Sequence, residues 1–253
     1  MRRAVLWAAC VFLTAAAPHP DAAELFRAGQ FAAASEAGRA EHTANSLAIA
    51  ARAALTRAAF LTTDRALART LVLQGESDAN AALQLDPQNY DALFQRASGI
   101  GYRATLTNSP KAASETRSIM TALSKADPAR AEAFLGLAAW NGEAVDNLGR
   151  FMAGMVLGAK LSAMNENFSE AEKRWPTSPV PFAYHGCLLL RIDPGQTTRA
   201  TVLLEVAMRN RPREAYEMTA QKGAGEVLAL LKRGDVKQAR VVAKMLGSFG
   251  RLT

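Results

Sequence analysis

Prolines that follow apolar helical segments constrain the fold of this chain more than any other feature. In the stretch from Ala79 to Ala97, Pro87 has no backbone N–H and disfavours a helical conformation at Asp86, so one helix must end there. Helical spacing of apolar residues resumes at Tyr90. The same arrangement returns at three further prolines: Pro128, Pro176 and Pro212. Repeated stops of this kind predict a stacked array of antiparallel helix hairpins.

The composition favours an all-α fold over one with a sheet. Alanine supplies much of the hydrophobic content, aromatic residues are 7% of the chain, and stretches of alternating polarity are rare. No long polar or Gly/Ser-rich tract divides the chain, so we expect one continuous domain over residues 21–246. Residues 247–253 are expected to form a frayed tail.

Residues 1–20 have the layout of a secretory signal peptide and leader. Two arginines precede an uncharged, mostly apolar run over residues 4–17, which is too short to span a bilayer. Small residues at the end of this run favour cleavage after Ala16. The layout as a whole predicts an exported, periplasmic protein. Two alternatives stay open, an uncleaved anchor and a lipid anchor at Cys10.

The chain carries a net charge of +7, and most of it lies near the C-terminus. Residues 199–253 contain 11 Lys and Arg against 5 Asp and Glu. A basic surface is predicted on the last hairpin at Lys232, Arg233, Lys237, Arg240 and Lys244. It would suit an anionic membrane surface, although a simple solvated helix face is the alternative. Nucleic acid is not expected, because aromatic residues do not interleave the basic ones.

Helical spacing also predicts where individual helices break and which faces are buried. A helix over Ala129–Asn141 is expected to break at Gly142. In the helix that follows, Met152 and Met155 lie on the apolar stripe and are expected to fill the core, the alternative being an adaptable groove.

The spacing of small residues before the prolines resembles the tetratricopeptide-repeat family. The matching positions are Ala79 and Ala82 before Pro87, Phe168 and Ala171 before Pro176, and Ala200, Leu204 and Ala207 before Pro212. The intervals between the closing prolines are 41, 48 and 36 residues, unlike the family's regular repeat of about 34. Such irregular repeats behind a signal peptide are similar to exported bacterial helical-repeat proteins, among them the T component of TRAP-type transporters.

The sequence contains no motif that identifies a reaction. Nucleophile elbows, phosphate-binding loops and clustered metal ligands are absent from it. His185 and Cys187 are two residues apart on a predicted helix and point in different directions. We therefore expect a non-catalytic protein without a cofactor or a metal.

In stacked helix pairs the first helices line the concave surface. The candidate groove residues are Phe94, Arg96, Tyr102, Arg103, Trp140, Asn141 and His185. The predicted function is an exported module whose groove binds a peptide, a partner protein or a small apolar ligand. The alternative is a cell-envelope scaffold that docks through its basic C-terminal helices, and the aromatic residues would then simply fill the core.

Overall fold

The computed structural model describes residues 21–252, and within them it contains helices and turns but no strand. The helices are α1 (Ala22–Arg27), α2 (Phe31–Glu41), α3 (Ala44–Thr56), α4 (Arg65–Leu85), α5 (Tyr90–Thr107), α6 (Pro110–Ala126), α7 (Glu132–Leu157), α8 (Leu161–Arg174), α9 (Val180–Ile192), α10 (Thr197–Arg209), α11 (Ala215–Lys232) and α12 (Val236–Leu246). A π-helical turn over Arg57–Leu61 extends α3. The predicted all-α fold is confirmed. Within the same residues, no helix is both long and apolar enough to cross a membrane. The predicted signal peptide lies outside the described residues.

The prolines end helices as the sequence predicts. The helices α4, α6, α8 and α10 each stop one to three residues before Pro87, Pro128, Pro176 and Pro212. Side chains cap the starts of several helices. Asp64 accepts hydrogen bonds from the backbone N–H groups of Ala66 and Leu67 at 2.8 and 3.2 Å. Because these signals are local, the sequence alone could locate them.

Consecutive helices pack in pairs through small residues. Ala82, Ala171 and Ala207, the alanines before three of the prolines, are fully buried. An alanine at such a position lets two helix backbones approach closely, because it adds only one methyl group between them. The structure is thus a twelve-helix array over residues 21–252, with an alanine-rich core spread along its length.

The predicted helix break at Gly142 is wrong. Helix α7 runs through Gly142, and its only non-helical residue is Gly149, with φ 74° and ψ 157°. Gly142 serves close packing instead, because a Cβ atom there would lie 2.3 Å from Cδ2 of Leu188 on α9. Gly149 has open space around it but adopts a positive φ, which L-residues with side chains rarely adopt.

The two ends of the array meet. Arg52 on α3 pairs with Glu214, which directly precedes α11. The rings of Phe60 and Tyr216 lie beside each other, with centroids 5.9 Å apart. Helix α1 also contacts α11. The helices therefore form a closed ring rather than an open arc.

The C-terminal tail completes this ring closure. The backbone N–H of Phe249 donates to the carbonyl oxygen of Ala59 in the π-helical turn at 2.7 Å. The Phe249 ring packs edge-on against Tyr102 of α5, with centroids 5.3 Å apart. Residues 247–252 are thus packed rather than frayed, because an aromatic side chain anchors them; Thr253 lies outside the described residues.

Candidate functional site: the central cavity

The ring of helices surrounds a partly open cavity of about 1090 Å³. Most of its lining comes from the odd-numbered helices α3, α5, α7, α9 and α11, with further residues from α6 and the C-terminal tail. The odd-numbered helices are the first members of their hairpins from α3 onward, which is the arrangement that stacked helix pairs favour.

One wall of the cavity is aromatic and aliphatic. It includes Phe94 on α5 together with Leu135 and Trp140 on α7. The indole Nε1 of Trp140 donates to the carbonyl oxygen of Ala113 at 2.7 Å, which fixes the orientation of the ring. The guanidinium of Arg117 lies 5.2 Å from the ring centroid of Trp140. This wall therefore presents a rigid apolar surface.

The cavity lining also includes part of a buried ionic cluster, which begins at Glu143, about one helical turn after Trp140 on α7. The Arg191 guanidinium on α9 makes two hydrogen bonds to the Glu143 carboxylate on α7, at 2.9 and 2.7 Å. It also contacts Oδ2 of Asp146 at 2.5 Å. The side chain of Arg191 is only 7% exposed. One buried cation thus offsets one of the two negative charges and links α7 to α9.

A tyrosine joins this cluster and faces the cavity. The hydroxyl of Tyr184 donates to Oε1 of Glu143 at 2.8 Å. Burial and the neighbouring Glu143 carboxylate raise the pKa of Tyr184 well above its ordinary value. The hydroxyl therefore keeps its proton at neutral pH. The cavity combines an apolar wall with a small polar group of defined geometry, which is typical of ligand pockets.

Three of the seven predicted groove residues line the cavity: Phe94, Tyr102 and Trp140. Two others, Arg96 and Arg103, lie on α5 outside the lining, and Arg103 pairs with Glu76 of α4 at 2.8 Å. These two arginines therefore do not line the central cavity.

The remaining two predicted groove residues have structural positions. Asn141 is buried, and its Oδ1 accepts from the backbone N–H of Lys160, just before α8. His185 is buried between α8 and α9, stacked on Phe168 with centroids 4.3 Å apart. Its Nδ1 lies 2.7 Å from Glu172. Burial lowers the pKa of His185, against the opposing effect of Glu172. Both residues are buried outside the cavity lining, and their polar groups have partners within the helix array.

The predicted basic surface on the last hairpin is only partly free. Lys237 and Lys244 are exposed, as is Arg233. Lys232 pairs with Glu205 at 2.9 Å. Arg240 does not extend freely into solvent, because its guanidinium donates to the carbonyl oxygens of Leu190 and Arg191 at the end of α9. At least two of the five cations therefore bind other parts of the array.

These contacts predict that Arg240→Gln and Lys237→Gln, two substitutions on α12, change the free energy of unfolding by different amounts. Arg240→Gln should destabilise the protein by about 1–3 kcal/mol, since it removes charged hydrogen bonds to a helix C-terminus. Lys237→Gln, on the same helix, should change the free energy of unfolding by less than about 0.5 kcal/mol. Urea denaturation of both variants would measure this. Equal stabilities would show that Arg240 is only a surface cation.

Sequence reasoning missed the ionic cluster. Glu143 and Arg191 are 48 residues apart, and nothing local to either marks them as partners. It also misplaced Met152 and Met155, which are exposed and not part of the core. Their burial was predicted from helical spacing along one continuous helix. The backbone leaves the helical conformation at Gly149, so this spacing does not hold for the residues that follow.

No family model matches the chain, and no curated protein matches it either. Within residues 21–252, no cluster of three or more His, Cys, Asp or Glu side chains is arranged to hold a metal ion. The fold establishes an all-helical array, and the resemblance to tetratricopeptide repeats remains a prediction.

Proposed function

We propose that this protein binds a small, largely apolar molecule in its central cavity. The observation that carries the proposal is the partly open cavity of about 1090 Å³, with an aromatic wall and a polar group of defined geometry. Pockets for small ligands commonly measure about 300–1,000 Å³ and combine these two kinds of surface. The tyrosine hydroxyl and the Glu143 carboxylate would orient a polar end of the ligand.

The ring closure favours a small ligand over an extended peptide. A peptide that follows a helical array needs an open concave surface along which it can lie. Here the Arg52–Glu214 pair and the Phe249–Ala59 hydrogen bond join the two ends. A compact molecule inside the ring fits this geometry better, and we place the binding function there.

The lining charges give no reason to prefer an ionic ligand. The residues around the cavity include six Arg and Lys and five Asp and Glu, and several of them pair with each other. Little charge is left unbalanced, so the apolar wall would supply most of the affinity.

The wider setting of this function is also a proposal. The layout of residues 1–20 supports export to the periplasm. The proline stops and the buried alanines before three of them support a degenerate tetratricopeptide-like array, similar to exported helical-repeat proteins such as the T component of TRAP-type transporters. A binding role without catalysis and without a cofactor suits these features.

Filling the cavity should abolish binding of an apolar probe. N-phenyl-1-naphthylamine is neutral and fluoresces strongly in apolar surroundings, so a fluorescence titration measures its affinity. Ser98 and Ala139 both line the cavity. In the double variant Ser98→Trp/Ala139→Trp we expect the affinity to fall by about tenfold or more, because two indoles would occupy the space of the probe.

The matched control is Ser118→Trp, which makes the same change at an exposed position of α6 outside the cavity lining. It should bind the probe as the wild type does. Circular dichroism of all variants would establish that the helix content is retained. If the double variant bound the probe saturably and with the affinity of the wild type, the binding site could not be the cavity.

A further inference from the structure

Exposed apolar side chains concentrate on one short piece of this protein. Of fourteen large hydrophobic residues that are exposed among residues 21–252, five lie between positions 148 and 156. They are Leu148, Phe151, Met152, Met155 and Val156. Isolated exposed apolar side chains are ordinary on protein surfaces, but a contiguous cluster marks an interaction site.

The cluster belongs to the part of α7 that follows its kink. We call residues Arg150–Leu157 the distal segment. It lies between Gly149 and Gly158, which both have a positive φ, of 74° and 69°. Its inner side packs through Ala153, which is fully buried beside Val145 and Ala159.

The distal segment has two different apolar faces. Phe151 and Met155, one helical turn apart, are 77% and 65% exposed and point away from the protein body. Met152 and Val156, also one turn apart, line the central cavity. The segment therefore forms part of the cavity rim while presenting its most apolar side chains to the exterior.

Cations flank this apolar surface. Residues 147–160 include Arg150 and Lys160 and contain no acidic residue. From α6, the Arg117 guanidinium donates to the carbonyl oxygen of Leu157 at 3.2 Å. Within residues 21–252, the carboxylate that contacts these cations is Asp193, whose Oδ2 lies 3.5 Å from Nη2 of Arg150. The surroundings of the distal segment thus carry excess positive charge.

We propose that the distal segment docks this protein onto an anionic phospholipid surface, with Phe151 and Met155 inserted among the lipid chains. Short amphipathic helices bind membranes in this way when bulky apolar residues lie beside basic ones. Each cation near an anionic bilayer adds further attraction. The inference goes beyond the proposed function, because it requires no ligand in the cavity.

Charge complementarity favours lipid over a second copy of the chain. Two copies related by a twofold axis would place the same patch against itself. Arg150, Lys160 and Arg117 would then face their own counterparts, with few carboxylates to balance them. An anionic lipid surface accommodates both the apolar side chains and the flanking cations.

Vesicle sedimentation with the full chain tests the proposal. The wild type should bind phosphatidylcholine vesicles that contain phosphatidylglycerol, more weakly as salt is added and more weakly still without the anionic lipid. Phe151→Ser/Met155→Ser should lower the partition coefficient by about tenfold or more, because two apolar side chains no longer enter the lipid. Arg150→Gln/Lys160→Gln should reduce the salt dependence.

The control variant is Leu73→Ser/Met218→Ser, which removes two side chains that are 58% and 53% exposed on other helices. All variants retain residues 1–20, so any contribution of that segment is common to them. Equal binding by the Phe151/Met155 variant and the control would overturn the proposal, as would a wild type that binds no vesicles. Light scattering gives a further test. A wild type that is dimeric, together with a Phe151/Met155 variant that is monomeric, would overturn the proposal, because the surface would then bind a second copy of the chain. Probe binding in the cavity is measured separately, so the two proposals fail independently.

Discussion

Replacing Arg191 by alanine is expected to destabilise the protein by about 3–5 kcal/mol, the largest effect of any single change considered. The substitution removes the only cation in contact with both Glu143 and Asp146 among the described residues. Two carboxylates are then left in a mostly buried place without a partner, which is far more costly than losing an exposed ion pair. For a chain of this size, the melting temperature should fall by about 10 °C.

A matched control for this prediction is Arg150→Ala. Arg150 also contacts a carboxylate, but its side chain is 61% exposed, and its loss should cost less than about 0.5 kcal/mol. A double variant, Arg191→Ala/Glu143→Ala, should lose less stability than the sum of the two single changes, because each single change leaves a charge unpaired. Additive losses in urea denaturation would contradict a coupled cluster.

Replacing Gly38 by alanine is expected to destabilise the protein by about 1–3 kcal/mol through overpacking. A Cβ atom at this position would lie 2.3 Å from the backbone carbonyl oxygen of Ser46, so α2 and α3 would have to separate. A backbone atom cannot move aside as the end of a flexible side chain can. The separation would also lengthen the hydrogen bond from the Ser46 hydroxyl to the Gly38 carbonyl oxygen, now 3.0 Å.

Replacing Gly154 by alanine should have the opposite effect on the free energy of unfolding. The nearest atom to a Cβ there is the Ala159 carbonyl oxygen at 3.7 Å, an ordinary contact. Gly154→Ala should therefore stabilise the protein by about 0.5–1 kcal/mol, because alanine favours the helical conformation. Thermal unfolding of both variants measures the difference. Stabilisation by both changes would show that α2 and α3 do not need glycine at their contact.

The sequence could predict features that depend on neighbouring residues. The four proline stops, and the buried alanines before three of them, need only local geometry and helical spacing, and the structure bears out both. The aromatic wall was found in part for the same reason, since Phe94 and Trp140 lie on the inner helices of their hairpins.

Features that depend on distant partners could not be predicted. Arg52 and Glu214 are 162 residues apart. The spacing of neighbouring residues therefore could not predict that they pair and close the ring. The burial of His185 outside the cavity lining depends on Phe168 and Glu172, which both lie on another helix. The exposure of Met155 follows from the backbone of one glycine, Gly149, whose departure from helical geometry a spacing argument cannot detect.

The position of Phe249 has a consequence for synthesis of the chain on the ribosome. Chains emerge from the N-terminus at about 5–20 residues per second, and an open array of helix pairs acquires its contacts one neighbour at a time. Here the hydrogen bond to Ala59 and the packing on Tyr102 come from Phe249, which follows them by 190 and 147 residues. All of the residues between them must leave the ribosome before these surfaces are covered. The surfaces around Ala59 and Tyr102 therefore stay uncovered on a nascent chain until Phe249 has emerged, long after their own helices could have formed.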